Sequence, residues 1–189
     1  MHAAPDSRPP TVIVLASGRG ERFRAAGGAG HKLHASLAGA TVLEHTLAAV
    51  RASGLPWHLE DVGHPGMGDS IAAAVRATAD AAGWLILPAD LPLVQPATLN
   101  AVAHALSSAQ AAQPSYRGQR GHPVGFGPSA FQALSGLSGN QGAAPVLRAL
   151  RETRQVADIE VDDIGVVTDI DTPEELARAE ALMRARPEA

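Results

Sequence analysis

A short apolar run that breaks into glycine and cations constrains this chain more than any other stretch. Thr11-Val12-Ile13-Val14-Leu15 is bounded by Pro9-Pro10 before it and Gly18 after it, which reads as a strand buried on both faces. The chain then turns through Ala16, Ser17, Gly18 and Gly20 and delivers Arg19, Arg22 and Lys32. Glycines after a buried strand leave backbone N–H groups open to close approach, and cations beside them suit such a turn to phosphate. The pattern is neither the Gly-Lys-Ser/Thr of a Walker loop nor the spaced glycines of a dinucleotide fold. Taken alone, it fits a solvated basic loop equally well.

The rest of the chain narrows the choice. A length of 189 residues predicts one domain, residues 11–189, after a polar, Pro-rich and disordered lead-in over 1–10. Only 3% of residues are aromatic and 18% charged, so the core is Ala, Val, Leu and Ile. That suits an α/β sheet under alanine-rich helices better than a sandwich. A formal net charge of -4 argues against nucleic acid as partner. With no cysteine, disulfides, thiolate metal sites and cysteine nucleophiles are excluded. No segment reads as a signal peptide or a membrane span, and a cytoplasmic protein is expected.

Taken in order, Thr41 to Ala52 reads as an amphipathic helix with Thr41 capping, Glu44 three residues on and Gly54 ending it. Leu55 to Val62 is a weaker strand. A second glycine loop, 63–68, leads to Asp69 and Ser70, one of which caps a helix over Ile71–Asp80 and the other of which is free for a ligand. Trp84-Leu85-Ile86-Leu87 is a buried strand ending in Pro88-Ala89-Asp90-Leu91-Pro92, where open α/β sheets bind their ligands; a plain turn residue is the alternative for Asp90. Helix Pro96–Ser108 follows. Gln113 to Pro123 reads as a basic loop bearing Arg117, Arg120 and His122, before a short strand at Val124–Phe126. Helical segments over 129–137 and 143–151 precede two strands, Val156–Val161 and Ile164–Thr168. The last helix starts at Pro173 behind Asp171-Thr172. Asp169 and Asp171 alternate in extended chain, so both point one way. Capping accounts for one carboxylate, and two in series suggest a metal.

Five segments together resemble one family. Leu15-Ala16-Ser17-Gly18-Arg19-Gly20-Glu21-Arg22-Phe23 with Lys32-Leu33 is similar to the leader motif of the MobA-like nucleotidyltransferases, which act on the molybdenum cofactor. Asp69-Ser70, Pro88-Ala89-Asp90-Leu91-Pro92, Gly121-His122-Pro123-Val124 and the segment from Asp169 to Leu176 look like its later motifs. Ser17, the Gly-His-Pro segment and the aspartate-bearing ending resemble the cytidylyltransferase branch more than the guanylyltransferase branch. The spacing from Arg22 to Lys32 is longer than the family pattern, with 25–30 inserted. The stretch between Gly54 and Asp69 is too short for the usual strand-helix-strand connection, which points to a missing β-α unit. Asn140 stands where the family usually has Asp.

The resemblance implies a Rossmann-like, mostly parallel sheet with helices on both faces, of the nucleotide-diphospho-sugar transferase kind. It implies Mg²⁺-dependent transfer of CMP from CTP to the phosphate of a molybdopterin-type acceptor, releasing pyrophosphate. GTP, another small phosphate acceptor, or a non-catalytic role as a cofactor chaperone are the alternatives, and a client molybdoenzyme is an implied partner. On this resemblance Arg22, Lys32 and Asp90 are catalytic. Leu15, Ala16, Ser17, Gly18, Arg19, Gly20, Asp69 and Ser70 join them in nucleotide binding. Arg120, His122, Asp169 and Asp171 face the acceptor, and Asp90, Asp169 and Asp171 hold the metal.

Overall fold

The structure is a computed structural model that describes residues 8–18 and 20–185. The predicted lead-in lies largely outside the described residues, as does Arg19. Strand β1 (Thr11–Leu15) leads through the glycine turn into a short helix α1 (Glu21–Ala25), and a small hairpin of β2 (Ser36–Leu37) and β3 (Ala40–Thr41) follows. Helix α2 (Val42–Ser53) begins at the expected capping box: Thr41 Oγ1 accepts from Glu44 N, and Glu44 Oε2 accepts from Thr41 N. It ends at Gly54 with φ 73°, the left-handed conformation that glycine adopts without a Cβ penalty. Then come β4 (Trp57–Glu60), α3 (Met67–Ala77), β5 (Trp84–Pro88), α4 (Pro96–Ala105), β6 (Ala111–Tyr116), β7 (Gln119–Arg120) and β8 (Val124–Phe126). Helices α5 (Phe131–Ser135) and α6 (Ala144–Glu152), strand β9 (Val156–Glu160) and helix α7 (Pro173–Ala185) complete the described chain.

Seven strands form one mixed sheet in the order β4-β1-β5-β8-β6, with β7 and β9 both paired to β6. β1 runs parallel to β4 and β5, and β6 parallel to β9; β8 and β7 run against their neighbours. The alternation along β5 divides the core. Leu85 and Leu87 face one layer with α2, α4 and Ala179 of α7, while Trp84 and Ile86 face another with Ile71, Ala74 and Val75 of α3 and Leu134 of α5. The sheet is thus covered on both sides, as the two-sided apolar runs predict. β4 is an edge strand and passes through the loop at 61–66 straight into α3, with no strand beyond it among the described residues. This matches the shortened middle seen in the sequence.

Three local expectations change. The 164–168 stretch is a single 3-10 turn, Ile164–Val167, rather than a strand. Its start is fixed by Asp163, buried beneath α4, which accepts from Gly165 N, Gln95 N and Thr98 Oγ1. The segment read as a loop from Gln113 is strand β6, and Pro114 fits there because it falls between the β8 ladder and the β7 ladder. Neither Asp69 nor Ser70 caps α3. The helix begins at Met67 behind Gly66, which offers no side-chain cap. Gly68 lets the 138–139 turn press onto that helix end: a Cβ there would lie 2.7 Å from the Ser138 carbonyl oxygen.

Candidate active site

The carboxyl ends of β1, β4 and β5, the amino end of β8 and the 169–171 segment open on one cleft of about 840 Å³, within the range of small-molecule sites. The glycine turn after β1 forms one wall. His31 shapes it: Nδ1 accepts from Leu33 N, so the other nitrogen carries the proton and donates to Gly18 O at 2.6 Å. Gly20, with φ 63°, then turns the chain into α1. The inserted residues are absorbed by α1 and the turn behind it, where Gly28 packs under the Phe23 ring. Lys32 therefore still reaches the centre of the site.

That centre is a charge cluster. Lys32 Nζ donates to Asp90 Oδ2 at 2.6 Å and to Asp171 Oδ1 at 2.5 Å, and Arg22 Nη1 donates to Asp171 Oδ2 at 2.8 Å. Burial pulls the Lys32 pKa down, but the two carboxylates reverse this and leave it above its ordinary value. Burial likewise pushes Asp171 up, and its bonds with Lys32 and Arg22 outweigh that and hold it below the usual carboxylate range. Asp169 goes the other way, raised by desolvation and by Asp90, Asp171 and Glu175. Asp169 and Asp171 both line the cleft. Asp171 has both oxygens engaged by cations.

Asp90 Oδ1 is buried and has no hydrogen-bond partner in the described structure, an orphaned hard donor of the kind a divalent cation accepts. No three of the described His, Asp and Glu side chains converge into a complete cage. A cation here would draw its remaining ligands from substrate and water. His122 lies near this carboxylate, and burial outweighs the pull of Asp90 and Asp169 and lowers its pKa. Its Nδ1 is also buried and unpartnered. A Cβ at Gly121 would lie 2.2 Å from Val166 O, so only glycine lets the link from β7 to β8 lie this close to the 3-10 turn.

Leu15, Ser17, Gly18, Gly20, Ser70 and Arg120 also line the cleft. Ser17 and Ser70 share a hydroxyl hydrogen bond of 2.8 Å. Arg120 is exposed and pairs with Asp158. Ala16 and Asp69 do not line the cleft. Ala16 donates its N–H to Glu60 O, and Asp69 accepts from Gly139 N and ties the 138–140 turn to α3. That turn brings Asn140 to the cleft. His64 is a wall residue that sequence reasoning missed; buried Glu60, at the end of β4, accepts from it at 3.1 Å. A lone histidine in a glycine loop carries no signal of this partner.

Known proteins share this fold. Over 92% of this chain and 98% of the other, the fold superposes on Rv0371c of Mycobacterium tuberculosis, with TM-score 0.75 and 23% identity. A nucleotidyl transferase from Methanothermobacter thermautotrophicus gives 0.78 and 22% over 94% of this chain and 99% of that one. Molybdopterin-guanine dinucleotide biosynthesis protein A from Archaeoglobus fulgidus gives 0.63 and 19% over 93% and 100%. At such identities these likenesses establish the fold, that of the nucleotide-diphospho-sugar transferase kind. In sequence, 112 residues are 36% identical to the purine catabolism protein PucB of Bacillus subtilis, covering 58% of this chain and 54% of that protein. The chain thus spans about half the length of this curated relative. Residues 48–156, more than half of the chain, match the family described as the MobA-like NTP transferase domain. On that match the chain belongs to the MobA-like NTP transferase domain family.

Proposed function

We propose that residues 11–189 act as one unit that transfers CMP from CTP to the phosphate of a molybdopterin-type acceptor. An acceptor phosphate oxygen attacks the α-phosphorus, the bond from the α-phosphorus to the bridging oxygen breaks, and pyrophosphate leaves with that electron pair. The attacking oxygen is already an anion, so no general base is required. The difficulty is charge: two like charges about 4 Å apart at an effective dielectric near 20 repel by roughly 4 kcal/mol. Arg22 and Lys32, with the glycine-turn amides, hold the β- and γ-phosphates and neutralise the leaving group. Asp90 and Asp169 would hold Mg²⁺, which when bound supplies charge compensation at the transferring phosphoryl group. Asp171 orients both cations, and His122 and Arg120 line the acceptor side.

The observation that carries this reading is the Lys32 bridge to Asp90 and Asp171, which joins the phosphate grip and the acidic pair in one place. Among nucleotides, the Ser17–Ser70 pair reduces the room beside the glycine turn and supports a pyrimidine over a purine. The A. fulgidus relative, named for molybdopterin-guanine dinucleotide biosynthesis, supports the acceptor class. A complex of Rv0371c of Mycobacterium tuberculosis with manganese supports a divalent metal. The test is pyrophosphate release from the pure protein with molybdopterin, Mg²⁺ and each nucleoside triphosphate in turn. CTP gives the highest turnover, and equal or faster release with GTP overturns the base assignment.

A further inference from the structure

Past Asp169 the cleft adjoins a second hollow of about 390 Å³, between the β6–β7 turn and the first turns of α7. Gln119, Val167 and Asp169 line both, so the two compartments meet at a common wall. The nucleotide chemistry proposed above uses none of the groups confined to the hollow.

The hollow is lined by one aromatic ring and by charged side chains of both signs. Tyr116, the only tyrosine in the chain, contributes a half-buried ring with the Arg117 guanidinium 5.1 Å from its centroid. Arg178 lines the opposite side and has no ion pair among the described residues. Glu175 accepts from Asp171 N through Oε2 only; Oε1 has no bonded partner among the described residues. A carboxylate reads a row of N–H donors and a guanidinium reads a carbonyl. Together, beside an aromatic ring, they match the 2-amino-4-oxo edge of a flat fused heterocycle.

We infer that this hollow binds the heterocyclic end of the acceptor, a pterin-type ring. The amino edge of the ring lies toward Glu175 and its carbonyl toward Arg178, while the acceptor phosphate crosses the Asp169 wall into the cleft. The inference rests on the acceptor class proposed above. It explains why the 117–120 turn, remote from the triphosphate grip, forms part of the cleft wall.

The experiment separates the two. 6-Hydroxymethylpterin, which is fluorescent and carries no phosphate, is titrated into the wild-type protein and into Arg178→Ala and Tyr116→Leu in the presence of CTP and Mg²⁺. Saturable binding to wild type, weakened at least tenfold in both variants, is expected, with the CTP-induced shift in melting temperature unchanged. The same variants raise the acceptor KM in the pyrophosphate assay and leave the CTP KM alone. Equal pterin binding by variants and wild type, or none by wild type, overturns the inference. Transfer to molybdopterin with an unchanged acceptor KM in Arg178→Ala does so while leaving the proposed function standing. Pterin binding that depends on Arg178, without any transfer, leaves the hollow assigned and removes the transferase reading.

Discussion

One carboxylate oxygen of Asp90 holds Lys32, and the other faces no donor among the described residues. Asp90→Asn keeps the shape and removes the charge. Loss of a major electrostatic stabiliser costs about 10²–10³ in rate. Turnover is therefore expected to fall by that factor while the melting temperature stays close to wild type. Near-normal pyrophosphate release by a folded variant removes Asp90 from the machinery. His122 supplies a pH signature. Its pKa is depressed by burial, so the unfolded chain takes up a proton near its ordinary value of about 6.5 while the folded chain does not. Stability from this residue is then present above that pH and declines as pH falls toward the folded value. Asp169, with its raised pKa, contributes with the opposite sign in the more acidic range. Thermal melts at pH 7.5 and pH 5.5 should show a smaller loss for His122→Gln than for wild type, and identical losses would remove His122 as the cause. Arg22, Lys32, Asp90 and Asp171 were legible in the sequence because each charge follows an apolar run or a glycine turn. Asp69 was misread because its partner, Gly139, is seventy positions away.

At the scale of elements, Asp163 decides how the acidic segment is presented. It supplies the acceptor that α4 lacks, since Gln95 makes no side-chain cap. Asp163→Ala strands buried donors at about 1–3 kcal/mol each. For a chain of this size a loss of about 2–4 kcal/mol lowers the melting temperature by roughly 4–16 °C. Asp163→Asn, which keeps an acceptor oxygen, should lose less. A thermal melt in which Ala is as stable as wild type would show that the 164–171 segment is held by something else. Nothing in the order of residues around Asp163 hints at this. Ile164-Gly165-Val166-Val167 has the branched side chains of a strand, and a carboxylate buried under another helix overrides that preference. The loop expected from Gln113 erred in the other direction, because the charge at Arg117 belongs to the β6–β7 turn and that at Arg120 to β7, not to the strand before them.

At the scale of the molecule, the uninterrupted apolar run of β5 and the order of the motifs were enough to place helices on both faces and the loops on one edge. What they could not give was strand order, in which β8 enters between β5 and β6 against its neighbours. Pairing of this kind is set by contacts remote in sequence. A whole-molecule prediction follows from mass action: CTP with Mg²⁺ at about 100 times its Kd adds roughly 2.7 kcal/mol, or about 5–11 °C in melting temperature. Either component alone should give a clearly smaller shift, and equal shifts for CTP with and without metal would contradict the joint site. Between Asp90 and Asp171, Lys32 already stands where a bound cation's charge would lie, and with Arg22 on Asp171 the charges cancel. The cleft is a clasp whose phosphate-gripping cations are held by its own carboxylates. Bare triphosphate could open it only by leaving two carboxylates facing its own charge, and bare metal only by setting two cations adrift. A guest that brings anion and cation together exchanges both pairs at once, so the clasp sorts visitors by charge pattern before any base is read.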